Sequence, residues 1–270
     1  QGVRIVLKIA SGHQLTKGLL VENDDFGMFR IEAEDDEVTL DPNFTGPSEG
    51  PNDPDGNLIL GVNARMPVLA CVINMNGIGH AGYHASHASN GYVEPNCGVK
   101  NAPFSGLECS NSIVWANLSV FTGCFYGYRA QQSGIIMAQG GIADDCVSDG
   151  VLASRGSTVQ FSEGKARNSQ EKAIRAQRSR IVAQNADLSG ATTNAVYATQ
   201  GSQISVMGAN CSGAGSNAIH ADECSQIAAS GANCSNSGNA AIYAFRASII
   251  DANGADARNS GSATAAVHRR

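Results

Sequence analysis

Charged side chains make up only 16% of the chain and aromatic ones only 6%, with a single Trp among them. Acidic residues outnumber basic ones, 24 to 18, for a net charge of −6. That balance argues against a nucleic-acid partner, because phosphate binding needs clustered Lys and Arg. Long hydrophobic runs are also missing: no stretch approaches the roughly 18 apolar residues of a membrane span. The opening QGVRIVLKIASG has neither the apolar core nor the small-residue cleavage site of a signal peptide. A soluble chain without membrane insertion is therefore expected. Position 1 is not Met, which leaves room for a segment before it. No CxxC and no Cys/His spacing of a zinc site occurs, and no GxSxG nucleophile elbow. Neither a metal nor a cofactor is expected.

Small residues are plentiful, Gly alone numbering 31, and they recur on a period. A small residue followed by an apolar one appears at Gly106-Leu107, Gly127-Tyr128, Gly150-Val151, Ala173-Ile174, Ala195-Val196, Ala218-Ile219, Ala241-Ile242 and Ala266-Val267, at spacings of 21 to 25 residues. Ser112, Ser133, Ser157, Ser179, Ser202, Ser225 and Ser248 keep the same period. Within a unit such as AIYAFRASIIDANGA the apolar residues alternate, as in half-buried strands, and Gly interrupts any helical pattern. These features predict an all-β chain, a right-handed parallel β-helix with about 22 to 23 residues per coil and ten or eleven coils.

Residues 99–270 would form the regular coils and residues 1–98 irregular first coils with long loops. One such loop is expected over residues 41 to 57, which carry four Pro. The stretch GHAGYHASHASNGY, with His80, His84 and His87, reads as an exposed loop. A short third strand is expected in the Ser-, Asn- and Gly-rich part of each coil, as in residues 233 to 238.

Stacked coils convert each position of the unit into a row of like residues about 4.8 Å apart. Val159, Ile181, Ile204, Ile227 and Ile250 are predicted to stack inside. Asp187, Asn210, Asn233 and Asp256 share one turn position, where αL geometry and amide hydrogen bonds between coils are expected. Of the eight Cys, six lie in the repeats (Cys109, Cys124, Cys146, Cys211, Cys224, Cys234) and are expected as small buried hydrophobes.

The outward positions form a row running through Glu108, Arg129, Leu152, Arg175, Tyr197, His220, Tyr243 and His268. Two residues further on lie Ser110, Gln131, Ser154, Gln177, Thr199, Asp222, Phe245 and Arg270. Arg175, Tyr197, His220, Asp222, Tyr243 and Phe245 thus gather on one face. Aromatic and polar groups on a flat sheet suit stacking on sugar rings, and the same stripe also suits subunit packing. Both readings stand.

The opening GVRIVLKIASG, the strand MFRIEAEDDEV and coils such as GANCSNSGNAAIYAFRASIIDANGADARNSG resemble the β-helix part of phage or prophage tailspike and tail-fibre proteins, within the wider pectate-lyase-like group. The resemblance implies a homotrimer on a virion tail, associated with other tail proteins. It would contact a host-surface polysaccharide or receptor and in some members degrade the polysaccharide. The lyase-type cluster of calcium-binding Asp with a strand Arg is missing here. Depolymerase chemistry would need two carboxylates about 5 to 9.5 Å apart. The candidates are Asp144, Asp145 and Asp149, placed in the turn before Val151, with Glu163 and Glu171 about one coil later.

Overall fold

The computed structural model describes residues 5–48 and 56–261 and the backbone of Ala266–Val267. No helix occurs among the described residues; every strand pairing is parallel. Two sheets of eleven strands run the length of the molecule. Sheet I begins with Ile5–Ile9 and ends with Ile249–Asp251; sheet II begins with Leu19–Glu22 and ends with Ala266–Val267. Each coil contributes one strand to each sheet, in sequence order, so the chain is a β-solenoid of the predicted kind and size.

The inward rows fall in the predicted register. Val159, Ile181, Ile204, Ile227 and Ile250 are successive partners in sheet I. The first four are buried, and Ile250 is half-covered because only the last turn lies beyond it. Leu107, Tyr128, Val151, Ile174, Val196 and Ile219 form the facing row of sheet II, all fully buried. The recurring Ser is a corner clamp: the Ser179 backbone N–H donates to Ser202 Oγ at 3.3 Å and the Ser202 N–H to Ser225 Oγ at 3.1 Å. The amide ladder is present too, with Asn210 Nδ2 donating to Asp187 Oδ1 at 3.0 Å and Asn233 Nδ2 to Asn210 Oδ1 at 3.1 Å.

Several expectations are corrected. The ladder residues do not adopt αL geometry; the left-handed positions lie three residues on, at Gly190, Gly213, Asn236 and Asn259. A third sheet of four strands exists only in the first coils. Beyond it the third side narrows to one bridging residue per coil, from Val120 to Asp256, because the αL corner follows at once and turns the chain away. No strand forms over residues 233 to 238. Residues 41 to 45 are not loop but the end of the strand Val38–Thr45, with Phe44 buried and Pro42 carried in a bulge. Residues 49–55 of the expected loop lie outside the described residues.

The middle of the His-rich segment is also a strand, Ala81–Ser86, buried throughout, with His84 only 5% exposed, whereas His87 lies in the exposed turn that follows. Its small residues are needed because a Cβ on Gly82 would meet Val99 and the Gly106 carbonyl. Cys224 is exposed at an αL corner, unlike the other five repeat cysteines, which are buried free thiols. In the last coil Tyr243 pairs with Ala266, two residues out of the expected register; His268 and Arg270 lie outside the described residues.

Candidate functional site

The outward row of sheet II assembles as the period requires. His84, Glu108, Arg129, Leu152, Arg175, Tyr197, His220 and Tyr243 are successive ladder partners. The predicted aromatic face is real: ring centroids of Tyr197 and His220 are 4.9 Å apart, those of His220 and Tyr243 4.9 Å, and Phe245 stacks on Tyr243 at 6.1 Å. Burial lowers the pKa of His220, and nearby Asp222 opposes that shift. Asp222 faces Arg246 at 3.8 Å. A second aromatic group lies toward the other end, where Phe104 stacks on His80 at 4.3 Å and meets the edge of Tyr126 at 5.5 Å.

Between the two groups sits a groove of about 290 Å³ lined by Arg129, Arg155, Arg175 and Arg178 with Gln131, Gln177 and Gln200. No carboxylate is among its lining residues. In a chain of net charge −6 this is a local reversal of sign. Two of the arginines are held from below. Glu108, 3% exposed, accepts from Arg129 Nη1 at 2.9 Å and from Gln131 Nε2 at 2.6 Å. The Arg129 guanidinium lies 4.6 Å from the centre of the Phe104 ring. Arg175 Nη2 is 2.6 Å from the carboxylate of Asp149, which is fully buried. Arg155 and Arg178 are exposed and occupy the αL corner after the strand, which throws their side chains toward the groove rim.

The five predicted carboxylates do not form one cluster. Asp144 is clamped by Arg167, with Nη2 at 2.5 Å and the backbone N–H at 2.8 Å. Asp145 and Glu163 are exposed αL turn residues, Asp145 accepting from Asn168 at 3.2 Å. Asp149 is not in a turn but begins the strand Asp149–Ser154. It pairs in register with Lys172, which brings Glu171 close. Burial, outweighing Arg175 and Lys172, pushes the Asp149 carboxyl up to about 6. Glu171, exposed and bound to Lys172 at 3.1 Å, is held below the usual range.

Sequence reading missed Arg155 and Arg178, although their 23-residue separation at one corner is the repeat period itself. It also missed the clamping role of Glu108. Tyr92 and Trp115, again 23 residues apart, went unnoticed on sheet I.

No family model matches the chain, and no curated protein matches it in sequence. Among solved structures it is similar to the A-module of the mannuronan C-5 epimerase AlgE4 from Azotobacter vinelandii, with a TM-score of 0.61 and 12% identity. The match covers 94% of this chain and 86% of the module. At that identity the likeness concerns architecture: the chain has the right-handed parallel β-helix fold.

Proposed function

We propose that this β-helix binds an acidic polysaccharide along the outer face of sheet II. The observation that carries the reading is the groove of four arginines without a lining carboxylate, flanked by aromatic rings on both sides. Planar guanidinium groups suit carboxylate or sulfate groups bidentately, and ring faces suit the apolar sides of sugars. An extended strip along the helix axis suits a polymer better than a small metabolite. The fold neighbour is an epimerase named for mannuronan, and a uronate polymer is the kind of ligand this groove accommodates.

The biological setting we propose is a phage or prophage tail, with the protein as a homotrimeric spike or fibre component contacting a host-surface glycan alongside other tail proteins. The style of the coils supports that reading. If the aromatic end around Tyr197, Tyr243 and Phe245 is instead the trimer contact, the glycan is left the arginine groove and the Phe104–Tyr126 rings.

A depolymerase reading has one observation in its favour. Asp149 and Glu171 are neighbouring carboxyls whose surroundings push their pKa values apart, the pattern of an acid and its partner base. Against turnover, Asp149 is fully buried beneath Arg175. Titration with a polyuronate and with neutral dextran at low and high salt tests binding. Polyuronate is expected to bind, more weakly as salt rises, and the exposed double variant Arg155→Ala/Arg178→Ala to lose about tenfold in affinity, roughly 1.4 kcal/mol. Equal binding of both polymers at both salts would refute the proposal. New reducing ends or unsaturated sugars appearing during the titration, and lost in Asp149→Asn, would establish the depolymerase instead.

A further inference from the structure

The opposite long sheet carries a second hollow with a different chemistry. On the outer face of sheet I, Tyr92 and Trp115 are ladder partners on adjacent strands, 44% and 41% exposed. Their backbones therefore lie side by side at about 4.8 Å. They border a hollow of about 440 Å³ that is also lined by Arg65, Asn90 and Glu94. Trp115 is the chain's single Trp, and among the described residues it and Tyr92 stand exposed side by side.

The hollow is built rather than incidental. The strand Arg65–Leu69 carries a bulge opposite Asn90 and Tyr92, so that Asn90 pairs with Arg65 but Tyr92 with Val68. A bulge leaves backbone groups unpaired. Here the fully buried hydroxyl of Tyr83 satisfies both sides, donating to the Pro67 carbonyl at 2.9 Å and accepting from the Tyr92 N–H at 3.2 Å. Gly91 is required at this point, because a Cβ there would lie 2.6 Å from the Tyr83 ring. The core thus reaches through the sheet to hold a bend whose outer side is the hollow.

The charges at the rim distinguish this place from the arginine groove. Arg30 is ion-paired with Glu94, and Arg65 faces Asp25 at 3.8 Å. Arg30 also holds Glu32, and the two charged side chains that line the hollow itself, Arg65 and Glu94, cancel, so its lining offers hydrogen-bonding groups without net charge. An uncharged ligand rich in hydroxyls, with an apolar face for the two rings, complements it.

We infer that the Tyr92–Trp115 hollow is a second glycan site, one that stacks a neutral pyranose on the two rings and takes its hydroxyls through Asn90, Arg65 and Glu94. This site is independent of the acidic-glycan reading of sheet II. Either can hold without the other.

Because the chain has one Trp, its intrinsic fluorescence reports this hollow directly. The intact chain would be titrated with neutral hexasaccharides of glucose, galactose and mannose in α and β linkage. At least one is expected to shift the Trp115 emission saturably, with little dependence on salt. Tyr92→Ala and Asn90→Ala, both at exposed positions, are expected to weaken that binding about tenfold. Arg155→Ala/Arg178→Ala should leave it unchanged, which separates this site from the sheet II groove. The inference is overturned if no sugar of the panel gives a saturable shift, or if the shift survives both hollow variants unaltered. It is equally overturned if the emission changes with protein concentration alone, since the rings would then be covered by a second copy of the chain.

Discussion

Asp149 provides a quantitative test of how the arginine groove is supported. Its carboxyl titrates near 6 in the folded chain, against about 3.9 when unfolded. Between those values the folded state binds a proton that the unfolded state has released, so this group's contribution falls as pH rises. It is fully present below about pH 4 and gone above about pH 6. A shift of about two units corresponds to about 3 kcal/mol. Asp149→Asn keeps the shape and removes the titration. Urea unfolding of both proteins at pH 4 and pH 7 should show the variant gaining about 2 kcal/mol on the wild type across that interval, less than the full amount because the unfolded carboxyl is already half ionised at pH 4. The sign is the informative part. If burial dominates, ionised Asp149 is a strain that Arg175 only partly relieves; if the ion pair dominates, the wild type would gain as pH rises. A difference that is flat with pH, or that moves in the wild type's favour, would refute the account of Asp149 as a desolvated anchor.

Other consequences follow from the stacked rows. Ile227→Asp places a carboxylate between Ile204 and Ile250 at a position 2% exposed; it should cost several kcal/mol and abolish cooperative unfolding by circular dichroism. Asn210→Leu removes the amide rung to Asp187 and the acceptor for Asn233 and for the Ser212 hydroxyl at 2.8 Å. A loss of about 2 kcal/mol is expected, with faster hydrogen exchange confined to the adjoining coils. Cys224 is the exposed thiol, whereas burial pushes Cys71, Cys109, Cys124 and Cys234 up to about 12, Cys146 and Cys211 well above the normal thiol value, and half-buried Cys97 above it too. A thiol reagent at pH 8 should therefore react rapidly with one thiol per folded chain, and Cys224→Ser should abolish that fast phase.

The regular coils were legible because a solenoid repeats its environment. An inward position meets the same neighbours in every coil, so Val159, Ile181, Ile204 and Ile227 had to be alike, and their register could be counted off. The first coils resisted that counting because a third sheet widens them. Local rules failed there too. Gly82 and His84 look like loop residues, yet the strand Ala81–Ser86 needs a small residue where Val99 crosses and tolerates a buried imidazole beside Glu108. The aromatic face was legible for the same reason as the core, one position in successive units. The clamps beneath the arginines were harder. Glu108 and Arg129 share a position, but Asp149 and Arg175 occupy different positions of the unit and meet only because a strand start lies under the next coil's outward row.

That offset contact gives the proposed binding surface an order that so plain a scaffold would otherwise lack. Arginines on an open sheet would ordinarily be mobile, and ordering such side chains on binding costs roughly 0.5 to 1.5 kcal/mol each. Here Glu108 and Asp149 fix Arg129 and Arg175 before any ligand arrives, and both carboxylates are too deep to line the groove. The clamp cancels charge below the surface while leaving guanidinium edges facing out. Arg155 and Arg178, exposed at the corner, add charge at the rim. On sheet I the carboxylates Asp25 and Glu94 instead sit beside their arginines, and the two charged residues lining the hollow, Arg65 and Glu94, cancel. One repeat therefore yields two faces of different charge, according to whether the carboxylate lies under the arginine or next to it.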